Sequence, residues 1–194
     1  MRLSWLIGAL WLCGVSLLGA QENTSRRGMP PPEQEVPEAR TPEASRTPAT
    51  HKAVLRLLEG RHWTLRSGAF RRLGPGAEEL LREIAEDSTR INYLRFRALE
   101  ALSLFPSDAT ADFLEATARR GERSFSRRGL AAFEAGFSQS RPSRFQALAR
   151  DLTTSPLPDV RLQAGRVLRQ VDPQSFSRML RQEPEAWVRE ELSR

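Results

Sequence analysis

The chain has 194 residues, a formal net charge of +6, a sequence pI near 10.9 and a single cysteine. That residue, Cys13, sits inside an apolar N-terminal run, so a chain trimmed of the run holds no thiol. Disulfides, a cysteine nucleophile and cysteine-ligated zinc are then excluded. Of the 30 basic residues only Lys52 is a lysine, and the arginines alternate with Asp and Glu along the chain. Such a pattern points to the arginine-biased coding of a GC-rich bacterium rather than to a nucleic-acid-binding block, and nucleic acid is not an expected partner.

Residues 1–20 read as a secretory signal. Arg2 gives the positive start, Leu3 to Leu18 the apolar middle, and Gly19-Ala20 the small-residue exit before Gln21. The alternative is an uncleaved anchor, because the apolar run is nearly long enough to span a bilayer. Either way the remainder is expected outside the cytoplasm, in the periplasm or the extracellular space, tethered to a membrane if the run is retained. The bulky Leu10 and Leu12 argue against lipid attachment at Cys13.

Residues 21–49 hold Pro30, Pro31, Pro32, Pro37, Pro42 and Pro48 among Glu, Arg, Ser and Thr. Such a segment cannot bury a core, and its prolines favour extended polyproline II, so it reads as a disordered, semi-rigid spacer. A Pro-rich ligand for another protein is the alternative. Asn23-Thr24-Ser25 has the pattern of a glycosylation acceptor, which matters only in a eukaryotic secretory pathway.

From about residue 50 the pattern is helical, without a β-type alternation long enough for a strand. One template recurs: a large apolar residue, a small one four positions on and a large one after another four. It occurs at Leu65-Ala69-Leu73, Leu94-Ala98-Leu102, Phe125-Gly129-Phe133 and Val160-Ala164-Leu168, and a fifth instance starts at Val188 and Leu192. These positions share one helical face, and the small central residue lets a neighbouring helix approach closely. Each such first helix is followed by a break and a second helix. The breaks are Gly74-Pro75-Gly76, Pro106-Ser107-Asp108, Ser140-Arg141-Pro142 and Asp172-Pro173, the last a start signal of cap and proline. The second helices carry Leu80, Leu81 and Ile84; Phe113 and Leu114; Phe145 and Leu148; and Phe176, Met179 and Leu180. Val54, Leu55 and Leu58 read as the lone second helix of a preceding half-repeat.

The instances start 29, 31, 35 and 28 residues apart. Val160-Arg161-Leu162-Gln163-Ala164, preceded by Asp159, and Leu94-Arg95-Phe96-Arg97-Ala98 resemble the first helix of the HEAT-like repeat family, including its short phycobilisome-lyase form. The third instance departs, with Phe125-Ser126-Arg127-Arg128-Gly129. The resemblance implies an all-α fold over residues 50–194, a short α-solenoid of about four helix pairs whose concave face, lined by the second helices, is the default binding surface. On activity it is nearly silent.

No catalytic set emerges from the residues. His51 and His62 are the only histidines and have no third ligand nearby in sequence, so no metal is expected. Glu78, Glu79, Glu83, Glu86 and Asp87 surround Arg82 and read as a solvated helix face. No phosphate loop or nucleophile elbow appears, and neither a cofactor nor a small-molecule substrate is expected. The densest basic stretch is Arg119, Arg120, Arg123, Arg127 and Arg128, which could grip an anionic group or simply cap helices. Arg144, Arg150, Arg178 and Arg181 fall on second helices and would make the concave face basic. The aromatic residues Phe70, Phe96, Phe105, Phe113, Phe133, Phe137, Phe145 and Phe176 fall at core positions, and Trp63 and Trp187 would cap the two ends. The expectation is a non-enzymatic module that binds another protein in the cell envelope or periplasm. The alternative is a solenoid that binds a polyanion, either nucleic acid or anionic lipid, through an arginine-rich concave face.

Overall fold

The computed structural model describes residues 48–194. Residues 1–20, read from the sequence as a secretory signal, with Cys13, the Asn23-Thr24-Ser25 pattern and nearly all of the Pro-rich stretch lie outside the described residues. Within them the chain is all-helical, and no helix is long and apolar enough to cross a membrane. Ten helices follow one another: α1 (His51–Leu58), α2 (Ser67–Arg71), α3 (Ala77–Glu86), α4 (Asn92–Leu102), α5 (Asp108–Arg119), α6 (Arg123–Phe137), α7 (Pro142–Leu152), α8 (Pro158–Val171), α9 (Pro173–Gln182) and α10 (Ala186–Ser193).

The helix starts are set by local chemistry. Ser107 Oγ accepts the Thr110 N–H at 3.0 Å, and Asp172 Oδ1 accepts the Ser175 N–H at 3.1 Å, so each satisfies a donor that the first turn leaves unpaired. Thr50 does the same for Ala53 at 3.2 Å. Pro142, Pro158 and Pro173 each occupy the first helical position, where a missing N–H costs nothing.

The helices stack in two layers. The first helices pack in series, α4 on α6, α6 on α8 and α8 on α10, while α1, α3, α5 and α7 follow each other in the second layer. The most extensive partner of α4 is α3, that of α6 is α5 and that of α8 is α7, so each of these first helices leans mainly on the second helix of the repeat before it. That is the solenoid-like arrangement the resemblance implies: no pair can bury its apolar face alone, and stacking builds one continuous core. This core runs from Val54 to Leu168, and a smaller cluster of Met179, Val188 and Leu192 closes the far end.

The template residues of the later repeats are buried as expected. Leu94, Ala98 and Leu102, then Phe125, Gly129 and Phe133, then Val160, Ala164 and Leu168, and finally Val188 and Leu192 all face the core. The central small residue works as a notch in the divergent third repeat: a Cβ on Gly129 would lie 2.8 Å from the Ala118 backbone nitrogen of α5. The first repeat differs. Leu65, Ala69 and Leu73 are only half-buried, and the helix between them shrinks to the five residues of α2, with Phe70 as its buried side chain. Arg66 at its start supplies no capping acceptor, and Gly74 and Gly76 turn the chain out at φ 78° and 83°.

Phe70, Phe133, Phe137 and Phe145 are core residues, as is Phe125, and Phe96, Phe105, Phe113 and Phe176 pack against buried residues. Trp63 packs on the core and donates its indole N–H to the Leu57 carbonyl at 2.8 Å. Trp187 is instead 42% exposed, because α10 buries Val188 and Leu192 on its other side.

Candidate functional site

The arginines that the sequence singles out are distributed by a repeat-to-repeat pattern of ion pairs. Arg144 of α7 reaches back to Asp112 and Glu115 of α5. Arg119 of α5 joins Glu115 at 2.8 Å and Asp151 of α7 at 2.9 Å. Arg120 pairs with Glu86 of α3 at 2.8 Å, Arg123 with Asp159, and Arg150 with Asp172 at 2.7 Å. Arg141 pairs with Asp108. Five of the seven candidate arginines are thus matched to carboxylates of neighbouring elements. Arg178 and Arg181 on α9 are exposed and have no ion-pair partner among the described residues. The second-helix layer therefore carries interleaved charge instead of a continuous basic strip. Sequence spacing alone missed this, because the partners lie about one repeat away.

The acidic face of α3 also does more than meet solvent. Glu78 accepts hydrogen bonds from Ser107 and from the Thr110 hydroxyl at 2.7 Å, so it ties α3 to the start of α5. Asp172 is the cap of α9 and the partner of Arg150. Hydrogen bonds from Ser175, then from Arg150, hold its carboxyl at about 2. Burial alone pushes the half-buried Glu134 carboxyl above the ordinary range.

The most deeply placed charges are Arg161 and Glu183. Their side chains are 9% and 1% exposed, and the guanidinium meets the carboxylate through Nε at 2.9 Å and Nη2 at 2.7 Å. Arg161 also donates to the Ser155 carbonyl at 2.9 Å, and Glu183 accepts the Glu185 N–H at 3.1 Å. Burial raises the Glu183 carboxyl, but the bonds from Arg161 and Glu185 outweigh it and the net displacement is downward. The pair joins the first turn of α8 to the turn between α9 and α10, a structural use of the arginine that follows Val160 in the repeat template.

On the outer side of the first-helix layer the surface is different. A depression of about 240 Å³ between α4 and α6 is lined by Phe96, Glu100, Arg128, Ala131 and Ala135. A second, of about 280 Å³, continues between α6 and α8 past Arg127 and Gln163. Arg128 and Ala131 belong to both, so the two form one trough over α4, α6 and α8 with alanines along its floor. Arg128 stacks on the Phe96 ring at 4.2 Å. Neither Arg127 nor Arg128 has a carboxylate partner among the described residues. A run of small residues on the exposed side of α6, Ala131 and Ala135, was the available signal for this trough. The recurring template draws attention to the opposite face.

No group of three or more metal-ligating side chains occurs among the described residues. His51 lies 3.4 Å from Arg90, and His62 is exposed in the turn after α1. The two layers of stacked helices define the class, an all-α, solenoid-like fold. The chain matches no family model, no curated protein and no solved structure.

Proposed function

We propose that this chain is a HEAT-like, non-enzymatic scaffold that acts in the cell envelope or periplasm and binds another protein along the trough over α4, α6 and α8. The observation that carries the reading is the composition of that surface. An alanine floor admits a helix or an extended segment closely, while Phe96 with Arg128 stacked on it forms one wall and Arg127 adds a cation without a carboxylate partner among the described residues. A segment with small or apolar residues beside a carboxylate suits it in shape and charge. The arginines of the second-helix layer are less available, because most already hold a carboxylate of a neighbouring element.

Affinity capture from envelope extract tests this with the full chain, an Ala131→Arg variant that fills the trough, and a variant with Arg144, Arg150, Arg178 and Arg181 changed to Glu. A protein retained by the wild type and lost with Ala131→Arg is the expected result. Loss only with the second set would move the partner to the other layer, and recovery of no protein by the wild type would overturn the reading.

A further inference from the structure

The net charge of the chain is concentrated at one end of the stack. Residues 48–76 contain Lys52, Arg56, Arg61, Arg66, Arg71 and Arg72 against the single carboxylate Glu59. Residues 77–194 contain nineteen arginines against eighteen carboxylates, and residues 1–47 are balanced. Five of the six net charges therefore sit on α1, α2 and the turns beside them. All six cations there are exposed, and none pairs with a carboxylate among the described residues. Elsewhere on the second-helix layer Arg82, Arg119, Arg120, Arg144 and Arg150 hold carboxylates, whereas Arg178 and Arg181 do not among the described residues, so this end carries the larger unmatched group.

Two of the four large apolar side chains that stand well out of the surface among the described residues lie at this same end. Ile91 is 55% exposed and Tyr93 45%. They flank the start of α4, which is held against the basic end by two contacts: Arg90 reaches His51, and Arg97 donates to the Leu58 carbonyl at 2.7 Å. The Arg97 guanidinium lies 4.6 Å from the Tyr93 ring and 5.3 Å from that of Trp63. The backbone N–H of Ala49 meets the Pro75 carbonyl at 2.8 Å, which closes the turn after α2 onto the start of α1.

We propose that this end of the solenoid, α1 and α2 with Ile91 and Tyr93, docks on an anionic lipid surface. Exposed cations supply attraction to anionic lipid headgroups that falls off within a Debye length of the surface. An exposed isoleucine and a tyrosine beside them supply what a nucleic acid would not use. An aliphatic side chain neither stacks on a base nor donates to a phosphate, whereas at the boundary of headgroups and acyl chains both residues are favourably placed. The same chain carries the apolar run Leu3 to Leu18, which is membrane-seeking by composition. This surface is separate from the trough over α4, α6 and α8, so it stands or falls independently of the protein-interaction reading.

Flotation of the full chain with phosphatidylcholine vesicles, with and without about a third of phosphatidylglycerol, tests the proposal through the preference for the anionic vesicles. Changing Arg56, Arg61, Arg71 and Arg72 to Gln should reduce that preference roughly tenfold or more. Changing Arg127, Arg178 and Arg181 to Gln should leave it nearly unchanged, and Ile91→Ser with Tyr93→Ser should weaken vesicle binding severalfold. Circular dichroism confirms that each variant is folded. Equal binding to neutral and anionic vesicles by the wild type, or an equal loss with the control set, would overturn the proposal. So would DNA binding that depends on the same four arginines with no preference among vesicles.

Discussion

Replacing Gly129 by alanine sets two effects of known size against each other. In a helix interior the change gains about 1 kcal/mol of propensity. Here the added Cβ would lie 2.8 Å from the Ala118 nitrogen, 3.0 Å from the Leu114 oxygen and 3.2 Å from the Ala118 Cα, all atoms of the α5 backbone. Backbone cannot rotate aside, so α5 and α6 must separate along their most extensive contact, which puts the cost at about 2–3 kcal/mol, the upper part of the usual overpacking range. The net expectation is a loss of about 1–2 kcal/mol, or a Tm lower by about 2–8 °C for a domain of this size. Gly165 is the internal control. Its Cβ would meet Leu192 Cδ1 at 2.8 Å and Met179 Sδ at 3.1 Å, which are the far ends of flexible side chains. Gly165→Ala should therefore remain within about 1 kcal/mol of the wild type, since repacking offsets the propensity gain. Urea titrations followed by circular dichroism measure both. A Gly129→Ala variant as stable as the wild type would refute the notch as a packing constraint.

Glu183→Ala strands the Arg161 guanidinium in a buried site and should cost about 3–5 kcal/mol, while replacing both residues by apolar ones of similar volume should restore much of it. A loss below about 1 kcal/mol for the single change, read from the same titrations, would show that the pair is solvated in solution. Asp172 has its pKa lowered to about 2 from an ordinary 3.8, so its folded-state bonds add stability that is complete above the ordinary value and lost as pH falls toward 2. Asp172→Asn should flatten the decline in thermal stability across that acid window, and an unchanged decline would count against the cap and its Arg150 contact.

The apolar register was legible in sequence wherever a full first helix formed, because Leu94, Phe125 and Val160 repeat on one face and their small partners mark the notch. It failed at Leu65-Ala69-Leu73, where the spacing is right but the sequence between has a glycine, no capping acceptor and a Gly-Pro-Gly exit. The second-helix starts at Ser107, Pro142 and Asp172 were visible because caps and prolines act within a few residues. The fate of the arginines was not, since Arg144 and Asp112, or Arg120 and Glu86, meet only after the stack has formed. The basic N-terminal end was countable in the sequence all along. An average over the whole chain hid it, because the near-neutral body dilutes six cations on a short stretch.

Helix α6 touches α4, α5, α7 and α8, and its pairing with α5 is the most extensive in the stack. It also carries Phe133 and Phe137, stacked at 4.9 Å, with Phe145 of α7 stacked 6.3 Å from Phe133. In a quasi-linear protein the order of assembly follows the strongest local interfaces, so α5 to α7 should form the nucleus and the flanking helices add outward from it. Opening runs in the reverse direction, with α1, α2 and α10 exchanging their amide hydrogens well before the centre. The two ends can consequently fray, re-form and adapt to a surface while the trough over α6 keeps its shape.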